Sequence, residues 1–98
     1  MWTVRVLRDA EAEIRSSMRW YEEKRIGLGL DFVALVDEAI SQIAERPFSY
    51  PLWRKERPYR KAAMRRFPFT VFYTVEDDYV QVVAVAHQKR RPGYWTER

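Results

Sequence analysis

Phe69-Thr70-Val71-Phe72-Tyr73-Thr74-Val75-Glu76-Asp77-Asp78-Tyr79-Val80-Gln81-Val82-Val83-Ala84-Val85-Ala86-His87 decides the fold of this chain. Two runs rich in β-branched and aromatic residues flank a short acidic turn, which predicts an antiparallel hairpin with strands over Pro68–Val75 and Tyr79–His87. Along the first run Phe69, Val71, Tyr73 and Val75 share one face, with Thr70, Phe72 and Thr74 on the other. A hairpin this apolar needs a cover, and the upstream sequence supplies one.

Immediately before it, Arg60–Arg66 reads as a third strand, and the irregular stretch from Phe48 to Tyr59 reads as a loop. Its aromatics beside Pro51 and Pro58 are of the kind that pin a loop to a core, although aromatics interleaved with bases could also clamp a nucleic acid. Further upstream the period changes from two to 3.6. Ile14, Met18 and Tyr21 form the apolar stripe of a helix that starts with Asp9 as N-cap, carries Glu11 and Glu13 in its first turn and runs to about Arg25. On its water face lie Arg15, Arg19, Glu22 and Glu23. Gly27 and Gly29 break the helix, and a second one runs from Leu28–Asp31 to Glu45 with Phe32, Leu35, Val36, Ala39, Ile40 and Ile43 on its stripe. Pro47 ends it by pushing Arg46 out of helical geometry. At the start, Trp2, Val4 and Val6 alternate as a short strand. The expected architecture is α+β in the order β-α-α-β-β-β, with an antiparallel helical hairpin on one face of a small, twisted, mainly antiparallel sheet.

Ninety-eight residues suffice for one core, so residues 1–98 are expected to form a single domain. A hydrophobic content of 47% and an aromatic content of 15% exclude a disordered chain. With no cysteine and one histidine, disulfides and thiolate metal sites are excluded, and neither a metal nor a cofactor is expected. No run approaches the roughly 20 apolar residues of a membrane span, and no apolar signal segment opens the chain, so a cytoplasmic protein is expected.

Charge is unevenly spread. Residues 1–45 hold six Lys/Arg against nine Asp/Glu (−3), and residues 46–98 hold twelve against five (+7), together the chain's +4. A basic half argues for an anionic partner there. The basic half ends in His87-Gln88-Lys89-Arg90-Arg91-Pro92-Gly93-Tyr94-Trp95, a titratable ring among cations and aromatics at a strand end.

At this point a resemblance becomes specific. Trp20-Tyr21-Glu22, Leu28-Gly29-Leu30-x-Phe32, Ile43-Ala44-Glu45-Arg46-Pro47, Arg65-Arg66-Phe67-Pro68-Phe69-x-Val71-x-Tyr73 and Val82-x-Ala84-Val85-x-His87-x-x-Arg90-x-Pro92-x-x-Trp95 occur in this order. Together they resemble the RelE/ParE superfamily, within it the ParE-like plasmid-stabilisation branch, over nearly the whole chain. The resemblance implies the toxin of a type II toxin–antitoxin pair and the same helical-hairpin-on-sheet fold.

It implies two targets. ParE-like members poison DNA gyrase by binding; RelE-like members are ribosome-dependent endoribonucleases that cut mRNA without a metal. For the nuclease, a base for the 2′-hydroxyl, cations on the crowded phosphate and an acid for the leaving oxygen are needed. His87 is the candidate acid or base, Arg65 and Arg90 the phosphate clamps, and Tyr94 a proton donor or stacking group. Lys61, Arg66, Lys89, Arg91 and Trp95 are candidates for holding the target or a nucleic acid.

Each has a plainer reading. A lone histidine at a strand end is more often structural than catalytic. Arg65 and Arg66 would alternate across the expected strand, so one of them faces away, solvated or paired with an acid on the helices. Trp95 also reads as a plug against the sheet. The lysines of RelE-like nucleases are thinned here to Lys55 and Lys61, and Arg91 stands where ParE-like chains usually have an acid. A third reading is a relative that has lost its toxicity and survives as an antitoxin partner.

The partners expected are a small, partly acidic cognate antitoxin that folds on binding, gyrase or the ribosome and its mRNA as target, and no membrane. A homodimer, or a heterotetramer with the antitoxin, is compatible with this reading.

Overall fold

The computed structural model describes residues 1–98. In chain order the elements are β1 (Thr3–Val6), α1 (Arg8–Lys24), α2 (Leu28–Glu45), β2 (Arg60–Ala63), β3 (Phe69–Val75) and β4 (Tyr79–His87), followed by a 3₁₀ turn at Tyr94–Glu97. The strands form one sheet in the order β1-β4-β3-β2, parallel between β1 and β4 and antiparallel elsewhere. This is the expected α+β arrangement.

No side chain caps α1. Leu7, not Asp9, occupies the N-cap position. The reason is that Leu7 still belongs to the sheet: its N–H donates to the Val82 carbonyl at 2.9 Å while its own carbonyl already accepts the Glu11 N–H. Strand hands over to helix without a capping residue, and Asp9 falls in the first turn.

At the other end of α1, the two glycines do different work. Gly27, at φ 90°, makes the turn. Gly29 lies inside α2, where an added Cβ would come within 2.6 Å of the Met18 carbonyl oxygen, so its missing side chain lets the helices touch. Glu22 is not idle on the water face. Its two carboxylate oxygens accept the N–H groups of Gly27 at 2.9 Å and Gly29 at 3.0 Å, so one helix supplies the cap that glycine cannot give the other.

The helices cover one face of the sheet. Ala10, Phe32, Val36, Ala39 and Ile43 pack on Phe69, Val71, Tyr73, Val80, Val82 and Val85. Burying each large side chain here contributes about 1.5–3 kcal/mol. The Tyr73 hydroxyl, inside this core, donates to the Pro47 carbonyl at 2.6 Å and so ties the end of α2 to the sheet. Val80, Val82 and Val85 do not share parity, and a bulge explains why. Phe72 pairs with Ala84 and Tyr73 with Val82, which leaves Val83 without an opposite residue. Beyond the bulge the alternation changes phase.

Arg60–Arg66 does not persist as a strand. β2 stops at Ala63, because Met64 and Phe67 both turn into the core and Arg66 takes a left-handed conformation at φ 69°. The second face of the sheet is covered too. Trp95, 1% exposed, stacks on Phe72 at 3.8 Å between ring centroids, with Trp53 and Tyr59 edge-on to it. The aromatics of the long loop do pin it, as one of the two readings required.

Candidate functional site

β1 pairs with β4 only as far as Val82, so the last half of β4 is bordered by α1 and by the C-terminal segment instead of a strand. A backbone edge left open there needs partners. Glu13 accepts the Val85 N–H at 3.0 Å, and Arg98 donates to the Val83 carbonyl at 3.0 Å. Arg98 also forms two bonds to Glu13, at 2.9 and 3.0 Å, and an ion pair with Asp9 at 3.6 Å. The Tyr94 hydroxyl donates to the same Glu13 carboxylate. Side chains thus replace the missing strand.

Sequence reasoning assigned Glu13 to the helix dipole and passed over Arg98. The signal was present in the helical period: Glu13 stands three residues after buried Ala10 and beside Ile14, on the flank of the stripe that meets the sheet. Burial, then the bond to Glu13, pushes the Tyr94 hydroxyl above the ordinary tyrosine range, so it stays protonated as a donor. The bond to Glu13 pushes the Arg98 guanidinium up as well.

His87 closes β4. Because of the bulge it points to the helix side, where its ring meets Phe69 edge-on at 5.2 Å. It borders a cleft of about 350 Å³ with Glu13, Ser16, Ser17, Arg90 and Tyr94. A smaller cleft of about 180 Å³ continues past His87 and Arg90 to Lys61 and Pro92. His87 Nδ1 accepts the Lys89 N–H at 3.1 Å. A neutral imidazole that accepts at Nδ1 carries its proton at Nε2, so the nitrogen left for a ligand is a donor and not a base.

Arg90 follows, its guanidinium 3.9 Å from the centre of the Tyr94 ring, with Arg98 against the same ring at 5.1 Å. Lys89 and Arg91 are exposed on the turn and form no ion pair. His87, Arg90, Tyr94 and Lys61 therefore gather at one end of the sheet.

Arg65 and Arg66 do not join them. The expected alternation across a strand fails because both lie in the β2–β3 turn, where Arg65 pairs with Glu38 at 3.0 Å and Arg66 with Asp31 at 3.4 Å, both acids of α2. Arg65 as a phosphate clamp beside His87 is therefore corrected, since the turn directs it to the second helix. Trp95 as a surface for a target is corrected as well, because its ring lies inside the second core. No three side chains of His, Cys, Asp or Glu converge as a metal site would require.

A helical hairpin on a four-stranded mixed sheet, with a cationic strand end closed by a C-terminal turn, defines a small α+β chain of ParE-like fold. The family model described as the ParE toxin of the type II toxin–antitoxin system parDE matches residues 2–92, and the chain belongs to that family. A chain of the solved chromosomal ParDE toxin–antitoxin system from P. aeruginosa superposes with a TM-score of 0.79 at 16% identity, covering 89% of this chain and 96% of that one. No curated protein matches the sequence. No helix is long and apolar enough to cross a membrane.

Proposed function

We propose that this ParE-family chain arrests growth by binding DNA gyrase and is silenced by a cognate antitoxin whose bound segment is acidic and partly apolar. One observation carries the choice of a binding toxin over a nuclease: of the four groups that RNA cleavage would use, all but Arg90 already have an internal hydrogen-bond partner. Arg65 is held by Glu38, the Tyr94 hydroxyl by Glu13, and His87 Nδ1 by the Lys89 N–H. What remains outward is Lys89, Arg90 and Arg91, which suit docking on an acidic protein surface and its charge-steered approach.

The nuclease reading rests on one feature, the shared cleft of His87, Arg90 and Tyr94. Purified protein decides between them. It is expected to block gyrase supercoiling while leaving message intact on translating ribosomes, with Arg90→Ala weakening the block about tenfold, or 1.4 kcal/mol. Site-specific cleavage of the message with supercoiling unaffected replaces this proposal with the nuclease. Normal growth on induction without antitoxin sinks both.

A further inference from the structure

The cations of the basic half divide by whether they have found an acid. Every ion pair of the chain uses Arg65, Arg66 or Arg98. Arg54, Lys55 and Arg57 have none, and all three are exposed on the loop between α2 and β2.

That loop does not hang free. Trp53 packs on Trp95 at 5.0 Å, and its N–H donates to the Tyr59 carbonyl at 2.7 Å, closing the stretch Arg54–Pro58 into a compact bend. The turn after β4 presses against it at Gly93, where a Cβ would lie 3.1 Å from the Trp53 ring. Between the two segments is a cleft of about 440 Å³, with Arg54, Lys55 and Arg57 on one wall and Pro92, Gly93 and Thr96 on the other. Across the seam of Trp53 and Pro92 the smaller cleft begins, adding Lys61 and Arg90. Five unpaired cations thus follow one another around a rigid aromatic seam, with Glu56 the one acid lining either cleft. The Arg54 guanidinium sits over the Trp53 ring at 4.5 Å, and with no acid paired to it its N–H groups are left for phosphate oxygens.

We infer that this cleft and its extension bind the phosphate backbone of a nucleic acid without reading its sequence. The charges are strung along two clefts rather than converging on one point, which suits a chain of phosphates better than a free one. An acidic peptide that folds on binding needs apolar anchors, and of the eight residues lining the larger cleft only Trp53 is hydrophobic. Because Arg54 already covers the face of Trp53, the ring offers no platform for a base, and the contact is to backbone alone. Arg90 is common to this cleft's extension and the proposed gyrase contact, whereas Arg54, Lys55 and Arg57 belong to the cleft alone.

The test is fluorescence anisotropy of the full chain, free of antitoxin, with a labelled 24-base-pair duplex and a single strand of the same length across a salt series. Both probes are expected to bind, more weakly as salt rises. The triple substitution Arg54→Ala, Lys55→Ala, Arg57→Ala should weaken duplex binding about tenfold or more and flatten the log–log salt slope by about 2.7, the value for three lost phosphate contacts. Arg15→Ala, Arg19→Ala, Arg25→Ala removes the same charge from α1 and the residue that ends it, and should change affinity less than about twofold. Equal losses in the two triples would reduce the effect to bulk charge and overturn the site. So would no binding at moderate salt, or displacement of the duplex by a polyglutamate peptide at matched charge concentration. Thermal melting of each triple confirms that the fold is unchanged.

Discussion

The β2–β3 turn and the turn after β4 are both basic, and each ends a strand of the same sheet, yet they have opposite fates. Arg65 and Arg66 lean on α2, where Glu38 and Asp31 answer them. Lys89, Arg90 and Arg91 have no ion pair, and the carboxylate of α1 that shares a cleft with Arg90, Glu13, is already committed to Tyr94, Arg98 and a backbone N–H. A cation becomes available to a partner less through its own position than through what the facing helix has left over. Arginine-rich motifs read alone cannot reveal this.

The comparison can be broken most severely from below the free turn. Trp95→Ala removes the ring that seats the whole C-terminal segment on Phe72, and should cost about 3–5 kcal/mol in urea denaturation. Retained stability would mean that the second core does not hold the turn in place. Next, Glu13→Gln breaks the charge pair with Arg98, whose side chain is only 17% exposed, and should cost about 2 kcal/mol. It should also raise tryptic cleavage after Lys89 and Arg90.

A third experiment varies pH. Burial pushes the Tyr73 hydroxyl up to about 12. A group whose pKa is higher folded than unfolded stabilises the fold fully below its unfolded value near 10, and that contribution fades as pH rises towards 12. Stability should therefore fall above about pH 10, and Tyr73→Phe should flatten that fall while losing about 1 kcal/mol at neutral pH with its bond to Pro47. The smallest effect belongs to the tied turn. Arg65 is 76% exposed, so Arg65→Ala should change stability by less than about 1 kcal/mol and leave the proposed inhibition of gyrase intact. A large loss of inhibition there would show that the two turns act together.

Much of this fold was legible in the residues. Phe69, Val71, Tyr73 and Val75 mark the helix-facing side of β3, and the stripes of Ile14, Met18 and Tyr21 and of Phe32, Val36, Ala39 and Ile43 mark the helices. What escaped were features that depend on a distant partner. Glu22 looked solvated until the start of α2 was brought beside it. The end of β2 was hidden because Met64 and Phe67 fit a strand as well as a tucked turn. Val82 to Ala86 are all apolar, so no contrast of polarity marked the change of phase at Val83. At the site, His87, Arg90 and Tyr94 were found together, whereas Glu13 and Arg98, which hold Tyr94, are joined only by the folded chain.

The unpaired Val83 divides β4 into two segments with separate anchors. Val80 to Val82 are flanked on both sides by strands, but Ala84 to His87 answer to β3 alone among strands. A disturbance arriving at His87, such as a docking partner pulling on the turn, can be absorbed at the discontinuity before it reaches the parallel pairing with β1. The molecule can yield at its business end while the pairing that organises its N-terminus stays in register.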